Sequence, residues 1–297
     1  MRAKPMSESL PSFRRASILG TGLIGGSFGL ALQNALPGIR IAGWDKEGVV
    51  RQAQARGAIH EGFSGDLAAA LAGADLVYIS LPISVTLDVL PEIARRAAPG
   101  ALVTDACSTK VRICRRGAEC FQSGATFLGG HPMAGKELSG IAHADAELFC
   151  KTRYALIGGE DTSGRDPRRA AFAALLKTLG AEPVWLEAET HDWAAAIVSH
   201  LPQLVCVALA GVVHEETDET GLPVSLAGRG LRDALRLAGS PYAVWRDIAL
   251  TNTENISRAL GRLSSAIEDL RSQLASRELE GEFDTANELY KILREMQ

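Results

Sequence analysis

The chain has 297 residues, of which 46% are hydrophobic and 22% charged, an ordinary composition for a soluble globular protein. Its net charge of −4 and pI near 5.9 give no electrostatic attraction for nucleic acid or an anionic membrane surface, so we expect neither as a partner. We also expect no membrane-spanning segment, because no uninterrupted apolar run reaches the roughly 20 residues that a spanning helix needs.

The N-terminus and the cysteines indicate the compartment. Residues 1–12 contain Pro and Ser but no apolar core of a secretory signal, so we predict a flexible lead-in. The five cysteines are odd in number and contain no CxxC pair. This pattern favours reduced thiols in the cytoplasm over a disulfide framework or a zinc site. We therefore expect a cytoplasmic protein without a bound metal.

Residues 13–187 alternate short apolar runs with helical patterns, which is typical of βαβ units around a parallel sheet. The predicted strands are residues 16–19, 39–44, 75–81, 101–105, 126–129, 154–158 and 183–186. The predicted helices include residues 25–34, 49–56, 66–72, 85–97 and 167–179. The pattern predicts a Rossmann-type α/β domain that ends near Glu187, where the strand signals stop.

The remaining residues, 188–297, predict an all-helical domain. Helical patterns cover residues 191–214, 243–268 and 283–296. On the first of these, Trp193, Ile197, Leu201 and Leu204 recur at three- and four-residue steps and form a broad apolar stripe. Such a stripe requires a partner helix, which either this chain or a second subunit could supply.

A dinucleotide-binding fingerprint follows the first predicted strand. Its sequence is Gly20-Thr21-Gly22-Leu23-Ile24-Gly25. The three glycines serve a tight turn, a close approach to pyrophosphate and close helix–strand packing, and the helix that follows offers free N–H groups. Asp45 ends the second strand 20 residues after Gly25, where a carboxylate binds ribose hydroxyls and repels a 2′-phosphate. We predict NAD as cofactor, and the adjacent Lys46 leaves NADP as an alternative.

Two further motifs carry groups suited to catalysis. The sequence Gly130-His131-Pro132-Met133-Ala134-Gly135 places a histidine after the predicted strand 126–129, before a glycine-bounded loop. Histidine accepts protons near neutral pH, although a lone histidine is also common in cores. Ser108 lies in the turn after the fourth long strand, where it could instead be a plain helix cap. Arg236 lies in an arginine-rich stretch that is either a solvated face or a carboxylate anchor.

Taken together, the motifs resemble those of the prephenate/arogenate (cyclohexadienyl) dehydrogenase family over residues 14–260. The matching pieces, in order, are GTGLIG, GWD, ADLVYISLP, DACSTK, GHPMAG, SHLPQ, GLRDALRLA and the later Trp245. The resemblance implies NAD-dependent oxidative decarboxylation of prephenate or arogenate on the route to tyrosine. It also implies a homodimer built through the helical domain.

The resemblance also implies roles for individual residues. His131 is the catalytic base, and Ser108 assists it beside the nicotinamide. Arg236 holds a substrate carboxylate. The other implied substrate contacts are Ser199, His200, Gln203, Lys136, Glu137 and Trp245. The implied cofactor contacts are Gly20, Gly22, Leu23, Ile24, Gly25, Asp45, Leu81 and Pro82.

The sequence departs from the family pattern near the substrate's side chain. Lys136 stands where threonine is common, and Gln203 replaces a histidine that is frequent in prephenate-preferring members. A cation at Lys136 favours the keto acid prephenate, whereas a neutral Gln203 accepts either substrate, so the preference stays open.

Two other functions remain as alternatives. A β-hydroxyacid-type dehydrogenase would need a catalytic lysine on a helix of the second domain, but the sequence has none between Lys177 and Lys291. A non-catalytic NAD-sensing module would not turn over prephenate.

Overall fold

A computed structural model describes residues 13–135, 138–159, 166–217 and 219–295. The predicted lead-in, residues 1–12, lies outside the described residues. The strands are β1 Arg15–Leu19, β2 Arg40–Trp44, β3 Glu61–Phe63, β4 Leu76–Ile79, β5 Leu102–Asp105, β6 Thr126–Leu128, β7 Gly130–Pro132, β8 Arg153–Ile157 and β9 Glu182–Leu186. The helices of the first part are α1 Leu23–Ala35, α2 Glu47–Ala55, α3 Leu67–Leu71, α4 Ile83–Arg96, α5 Val111–Cys120 and α6 Pro167–Thr178.

The helices of the second part follow β9. They are α7 Ala188–Ala195, α8 Leu201–Glu215, α9 Leu222–Ser225, α10 Arg229–Leu235, α11 Tyr242–Thr251, α12 Thr253–Gln273 and α13 Leu279–Glu295. A π-helical turn, Ala196–His200, joins α7 to α8, and a 3-10 turn, Arg236–Gly239, follows α10. The predicted domain boundary near Glu187 falls between β9 and α7.

Six parallel strands form the main sheet, in the order β3-β2-β1-β4-β5-β6. Every residue of β4 and β5 is buried, as expected of central parallel strands that helices cover on both faces. The strand order changes direction between β1 and β4. In open α/β sheets the crevice beyond the strands' carboxyl ends at such a point is where ligands bind.

A second sheet corrects the prediction of a single parallel sheet. β7 pairs with β8 in the antiparallel direction, and β8 pairs with β9 in parallel. His131 therefore lies within a strand of its own, not at the end of the strand predicted over residues 126–129. The equally short β6 is an apolar run that sequence patterns detect, whereas β3 and β7 contain glycine or proline, which are rare in strands, and so are not predicted. Pro132 is compatible with β7 because this strand is at the edge of its sheet.

The helical part packs against the α/β part at one end of α4 and α5. Ile83 and Ile113 from the first part share a buried cluster with Ala196, Ile248 and Ile256 from the second. Polar contacts reinforce the junction: Asp247 on α11 accepts hydrogen bonds from the Ser84 amide at 2.9 Å and its hydroxyl at 2.6 Å. The two parts therefore meet beside the turn after β5.

The predicted helix over residues 243–268 is interrupted at Asn252. α11 ends at Thr251 and α12 begins at Thr253, while Asn252 leaves the helical conformation with φ −128° and ψ 28°. Its side-chain amide donates to the carbonyl oxygen of Asp192 at 2.7 Å. A tertiary contact thus determines the break, and helical periodicity gives no sign of it.

The continuous helical segment Ala188–Glu215 bears on the expectation of no membrane-spanning segment. By length and composition alone it could cross a membrane, with 28 residues and a mean hydropathy of 2.0 in its most apolar window. Its polar side chains His191, Asp192, His200 and Gln203 are buried and bond to other elements of the chain. Such contacts are those of a helix in a folded domain.

Candidate active site

The loop between β1 and α1 has the geometry of a dinucleotide cradle. Gly20 has φ +89°, and a Cβ there would lie 2.5 Å from the Ser80 carbonyl oxygen. At Gly25 a Cβ would lie 1.9 Å from the Gly20 carbonyl oxygen, so only glycine fits at either position. Gly22, in contrast, faces open space and caps α1 without a side-chain hydrogen bond. This leaves room and free N–H groups for a pyrophosphate.

The remaining predicted cofactor residues surround this loop. Asp45 follows β2 and is partly exposed, with its carboxylate accepting hydrogen bonds from the amides of Thr21 at 2.8 Å and Lys46 at 2.7 Å. Leu23 and Ile24 open α1, and both are partly exposed. Leu81 lies close to Gly20, and Pro82 caps α4. Carboxylate oxygens accept more than one hydrogen bond, so Asp45 retains capacity for ribose hydroxyls.

A buried ion pair lies beneath the strand that carries His131. Lys110 and Asp105, at the two ends of the turn after β5, have no exposed side-chain surface and contact each other directly. The Lys110 ammonium donates to the Gly130 carbonyl oxygen at 2.6 Å, and Asp105 accepts from the Gly130 amide at 3.1 Å. The amide and the carbonyl group of Gly130 are therefore both bonded to the ion pair, which fixes the backbone immediately before His131.

Ser108 lies in the middle of that same turn. It is partly exposed, while its neighbours Cys107 and Thr109 are buried. The two ends of the turn bond to Gly130, which directly precedes His131, so Ser108 lies on a turn that is attached to the strand of His131. Cys107 is not suited to act as a nucleophile, since burial, followed by the charge of Asp105, raises the pKa of its thiol.

His131 belongs to a chain of hydrogen bonds that links three elements. Its Nδ1 lies 2.9 Å from Nε2 of His191, and Nδ1 of His191 lies 2.8 Å from Oδ1 of Asp192. Asp192 also accepts hydrogen bonds from the amides of Lys110 at 2.6 Å and Val111 at 2.9 Å, at the start of α5. The free N–H groups at the N-terminus of α5 thus hold the Asp192 carboxylate, which ends this chain of hydrogen bonds.

These contacts favour one tautomer for each histidine, which follows from which atoms can donate and which can accept. An ionised Asp192 can only accept, so Nδ1 of His191 carries a proton and donates it to Asp192. Nε2 of a neutral His191 is then an acceptor, and Nδ1–H of His131 donates to it. Nε2 of His131 is left without a proton. This atom is positioned to act as a base.

The electrostatic surroundings keep His131 neutral. Burial lowers the pKa of His131 well below its usual value. Electrostatic repulsion from His191, Lys110 and His200 lowers it further. Burial by itself would lower the pKa of Lys110, but the attraction of Asp105 outweighs this effect and raises the pKa of Lys110. The site therefore combines a fixed cation with a neutral imidazole.

The predicted residues Ser199, His200 and Trp245 lie on the helical side. Ser199 is partly exposed in the π-helical turn. His200 is only 1% exposed, its Nδ1 lies 3.3 Å from the Asn252 amide nitrogen, and burial lowers its pKa to about 4. Trp245 packs edge-on against the His200 ring at 5.9 Å between centroids. The structure thus gives His200 protein partners and keeps its ring from the surface.

Gln203 and Arg236 are neighbours in space. Gln203 is buried, and its side-chain amide donates to the Leu237 carbonyl oxygen at 2.8 Å. Arg236 begins the same 3-10 turn and is exposed. Gln203 therefore fixes the turn that presents the arginine. Lys136 and Glu137, the other predicted substrate contacts, lie outside the described residues.

Sequence reasoning missed His191 and Asp192, which the fold brings to His131 from 60 residues away. The signal available was an adjacent His–Asp pair at the start of the helix that follows the last strand. From the sequence, the pair His191–Asp192 is only part of a helical pattern, since nothing local indicates which strand it faces.

Two family models match this chain, and they divide it at the same place as the structure does, between the α/β part and the helical part. Residues 28–183 match the family model for the prephenate dehydrogenase nucleotide-binding domain. Residues 187–295 match the model for the prephenate dehydrogenase dimerization domain.

Individual relatives agree with the family models. The chain is 33% identical over 267 residues to a prephenate dehydrogenase of Lactococcus lactis, covering 89% of this chain and 72% of the relative. A prephenate dehydrogenase structure from A. aeolicus, in complex with hydroxyphenyl propionate and NAD+, has a TM-score of 0.84 at 27% identity and covers 95% of this chain and 98% of that one. An arogenate dehydrogenase structure from Synechocystis has a TM-score of 0.77 at 26% identity, covering 94% and 99%.

Proposed function

This chain belongs to the prephenate dehydrogenase family, and we propose that His131 is the base of its reaction. The protein is an NAD-dependent oxidoreductase that oxidatively decarboxylates prephenate or arogenate. The observation that carries the assignment of His131 is the hydrogen-bond chain to His191 and Asp192, which favours the tautomer of His131 with an unprotonated Nε2.

The residues around Gly22 fit the cofactor. The open space at Gly22, the uncapped start of α1 and the carboxylate of Asp45 would hold the pyrophosphate and a ribose. When bound, NAD+ supplies the hydride acceptor for the reaction. The chain's own residues position the substrate and handle its proton.

His131 acts on the hydroxyl at C4 of the substrate ring. As hydride leaves C4, Nε2 of His131 accepts the hydroxyl proton and a C=O bond forms. Loss of the ring carboxylate as CO2 then sends its electron pair into the ring, and the product becomes aromatic. The oxygen takes the proton back to become a phenol, so the site must hold one proton between the two steps. A positioned base typically contributes about 10²- to 10⁴-fold to such a rate.

Ser108 and Arg236 have supporting roles in this proposal. The Ser108 hydroxyl, on the turn that the buried pair ties to Gly130, donates to or accepts from the substrate hydroxyl beside His131. The Arg236 guanidinium holds a carboxylate of the substrate through two parallel hydrogen bonds. Gln203 contributes by fixing the turn that carries Arg236. Its side chain has no charge, so it favours neither the keto group of prephenate nor the ammonium group of arogenate.

Steady-state assays test the function directly. The purified protein is given prephenate and arogenate in turn, each with NAD+ and with NADP+, and reduced cofactor is followed by absorbance. We expect turnover with NAD+ and at least one of the two acids. No reduction of NAD+ with either acid would contradict the proposed function.

We further propose that the protein works as a homodimer in the cytoplasm. The helical segment Ala188–Glu215 exposes apolar side chains, with Val198 at 66% and Val212 at 57% exposure, and a second copy would cover them. The match to a dimerization-domain model supports this arrangement. All five cysteines are free, which fits a reducing compartment. Light scattering at micromolar concentration measures the mass and would contradict the dimer if it gave that of one chain.

A further inference from the structure

We infer that His191 stores the substrate proton, so that the positive charge formed during the reaction resides on His191 beside Asp192. The inference rests on the proposed function of the site. His191 acts through His131 and does not contact the substrate, so it is a positioning residue that also takes part in proton transfer.

The transfer is balanced in protons and bonds. The substrate O–H bond breaks as an N–H bond forms at Nε2 of His131. The Nδ1–H bond of His131 breaks as an N–H bond forms at Nε2 of His191, 2.9 Å away. His191 retains its Nδ1–H, which donates to Asp192 at 2.8 Å. When the phenolate oxygen forms, both transfers reverse, and no proton is gained or lost.

The charges around the two rings favour this location. The carboxylate of Asp192 bonds directly to His191, whereas the Lys110 ammonium opposes a positive charge on His131. An imidazolium on His191 is stabilised by an adjacent anion, while one on His131 is separated from that anion by a whole ring. Because Coulomb energies grow in a medium of low polarity, this difference in distance matters more here than in water.

His191 itself has little contact with solvent, although it borders an open groove. His191 lines a cavity of about 320 Å³ together with mainly apolar side chains, among them Met133, Ala155, Val184 and Val198. The ring itself is 3% exposed. The charged and titratable groups nearest to it are His131 on β7, Asp192 and His200 on the helical segment and Arg153 on β8. Lys110, just before α5, bonds to Asp192 through its amide and acts electrostatically on His131. A proton on His191 therefore remains near the site until the product oxygen takes it back.

Two substitutions separate proton storage from simple orientation. In His191→Gln, the amide oxygen can accept the Nδ1–H of His131 and so keep its orientation, but the amide cannot take up a proton. In His191→Leu both functions are lost. If His191 stores the proton, both variants should lose about 10²-fold or more in kcat, with NAD+ affinity unchanged. If Gln restores kcat to within a few-fold of the parent, His191 only orients His131 and the inference is wrong.

The exposed His214 on α8 provides the matched control, because His214→Gln should leave kcat unchanged. A measurement on the unsubstituted protein keeps the inference testable even if the variants fail to fold. In ¹⁵N-histidine NMR spectra of the full protein, acidification should convert His191 to the imidazolium while His131 keeps an unprotonated Nε2. Protonation of His131 first would overturn the inference. This readout needs no turnover, so it is independent of the assays that test the proposed function.

Discussion

Lys110 and Asp105 form a fully buried ion pair whose two members hold the two polar groups of the Gly130 peptide. The backbone that precedes the candidate base is thus positioned by charges and not by packing alone. A buried pair contributes little net stability by itself, because desolvation offsets the attraction. Removing only one member of the pair is costly, because the other charge is then left buried without a counter-charge.

We expect Lys110→Met to destabilise the protein by about 3–5 kcal/mol, because it leaves the Asp105 carboxylate buried without a counter-charge. Urea unfolding, with the cofactor concentration held fixed, measures the change. The control is Arg116→Met, which breaks the exposed pair with Glu119 and should cost less than about 1 kcal/mol. Equal losses in the two variants would show that the buried pair has no special role.

We expect His131→Asn to lower kcat by about 10²- to 10⁴-fold, because the proton acceptor is lost. NAD+ affinity should stay nearly the same, since the cradle around Gly20 to Gly25 is built by other elements. Steady-state kinetics and NAD+ titration monitored by fluorescence measure the two effects. An unchanged kcat would remove His131 from the mechanism.

The cofactor half of the site could be predicted from the sequence, because its chemistry is local. The three glycines lie within six residues; a Cβ would clash with the backbone at Gly20 and Gly25, and Gly22 faces open space that leaves room for a pyrophosphate. The short loop between β1 and α1 contains nearly all the information that this prediction needs. The same holds for the seven predicted strands and the predicted helices between them.

The proton-handling half could not be predicted in the same way, because it depends on contacts between distant elements. His191 reaches His131 only because β7 leaves the main sheet and pairs with β8, and β7 is too short to recognise. Asp192 is fixed by amides at the start of α5, 81 residues away for Val111. Periodicity describes how a helix is buried but not which strand it faces.

Asp45→Ala should relax the preference for NAD+ over NADP+. The substitution removes a charge-assisted hydrogen bond to the ribose, worth about 1.5–3 kcal/mol, and it also removes the repulsion of a 2′-phosphate. We expect kcat/KM with NAD+ to fall about tenfold or more while that with NADP+ rises. The ratio of kcat/KM for the two cofactors is the measurement, and an unaltered ratio would count against the ribose contact.

Arg236→Ala should mainly raise KM for the organic acid, because it removes binding that ground state and transition state share. A bidentate contact between guanidinium and carboxylate predicts an increase of about 10- to 100-fold. Arg232→Ala, one turn earlier and also exposed, is the matched control and should change KM little. A fall in kcat alone would mean that Arg236 does not anchor the substrate.

Acidification should destabilise the folded protein through its buried neutral histidines. Burial lowers the pKa of His200 to about 4 and that of His131 well below 6.5, whereas the unfolded chain protonates both near pH 6.5. Between about pH 6.5 and 4 the unfolded state binds more protons, so the free energy of unfolding falls as the pH falls. His200 alone accounts for roughly 2–3 kcal/mol over this range. Unfolding curves at several pH values measure the slope, and His200→Gln should make it shallower. A slope that is the same in both proteins would mean that His200 is already charged in the native state.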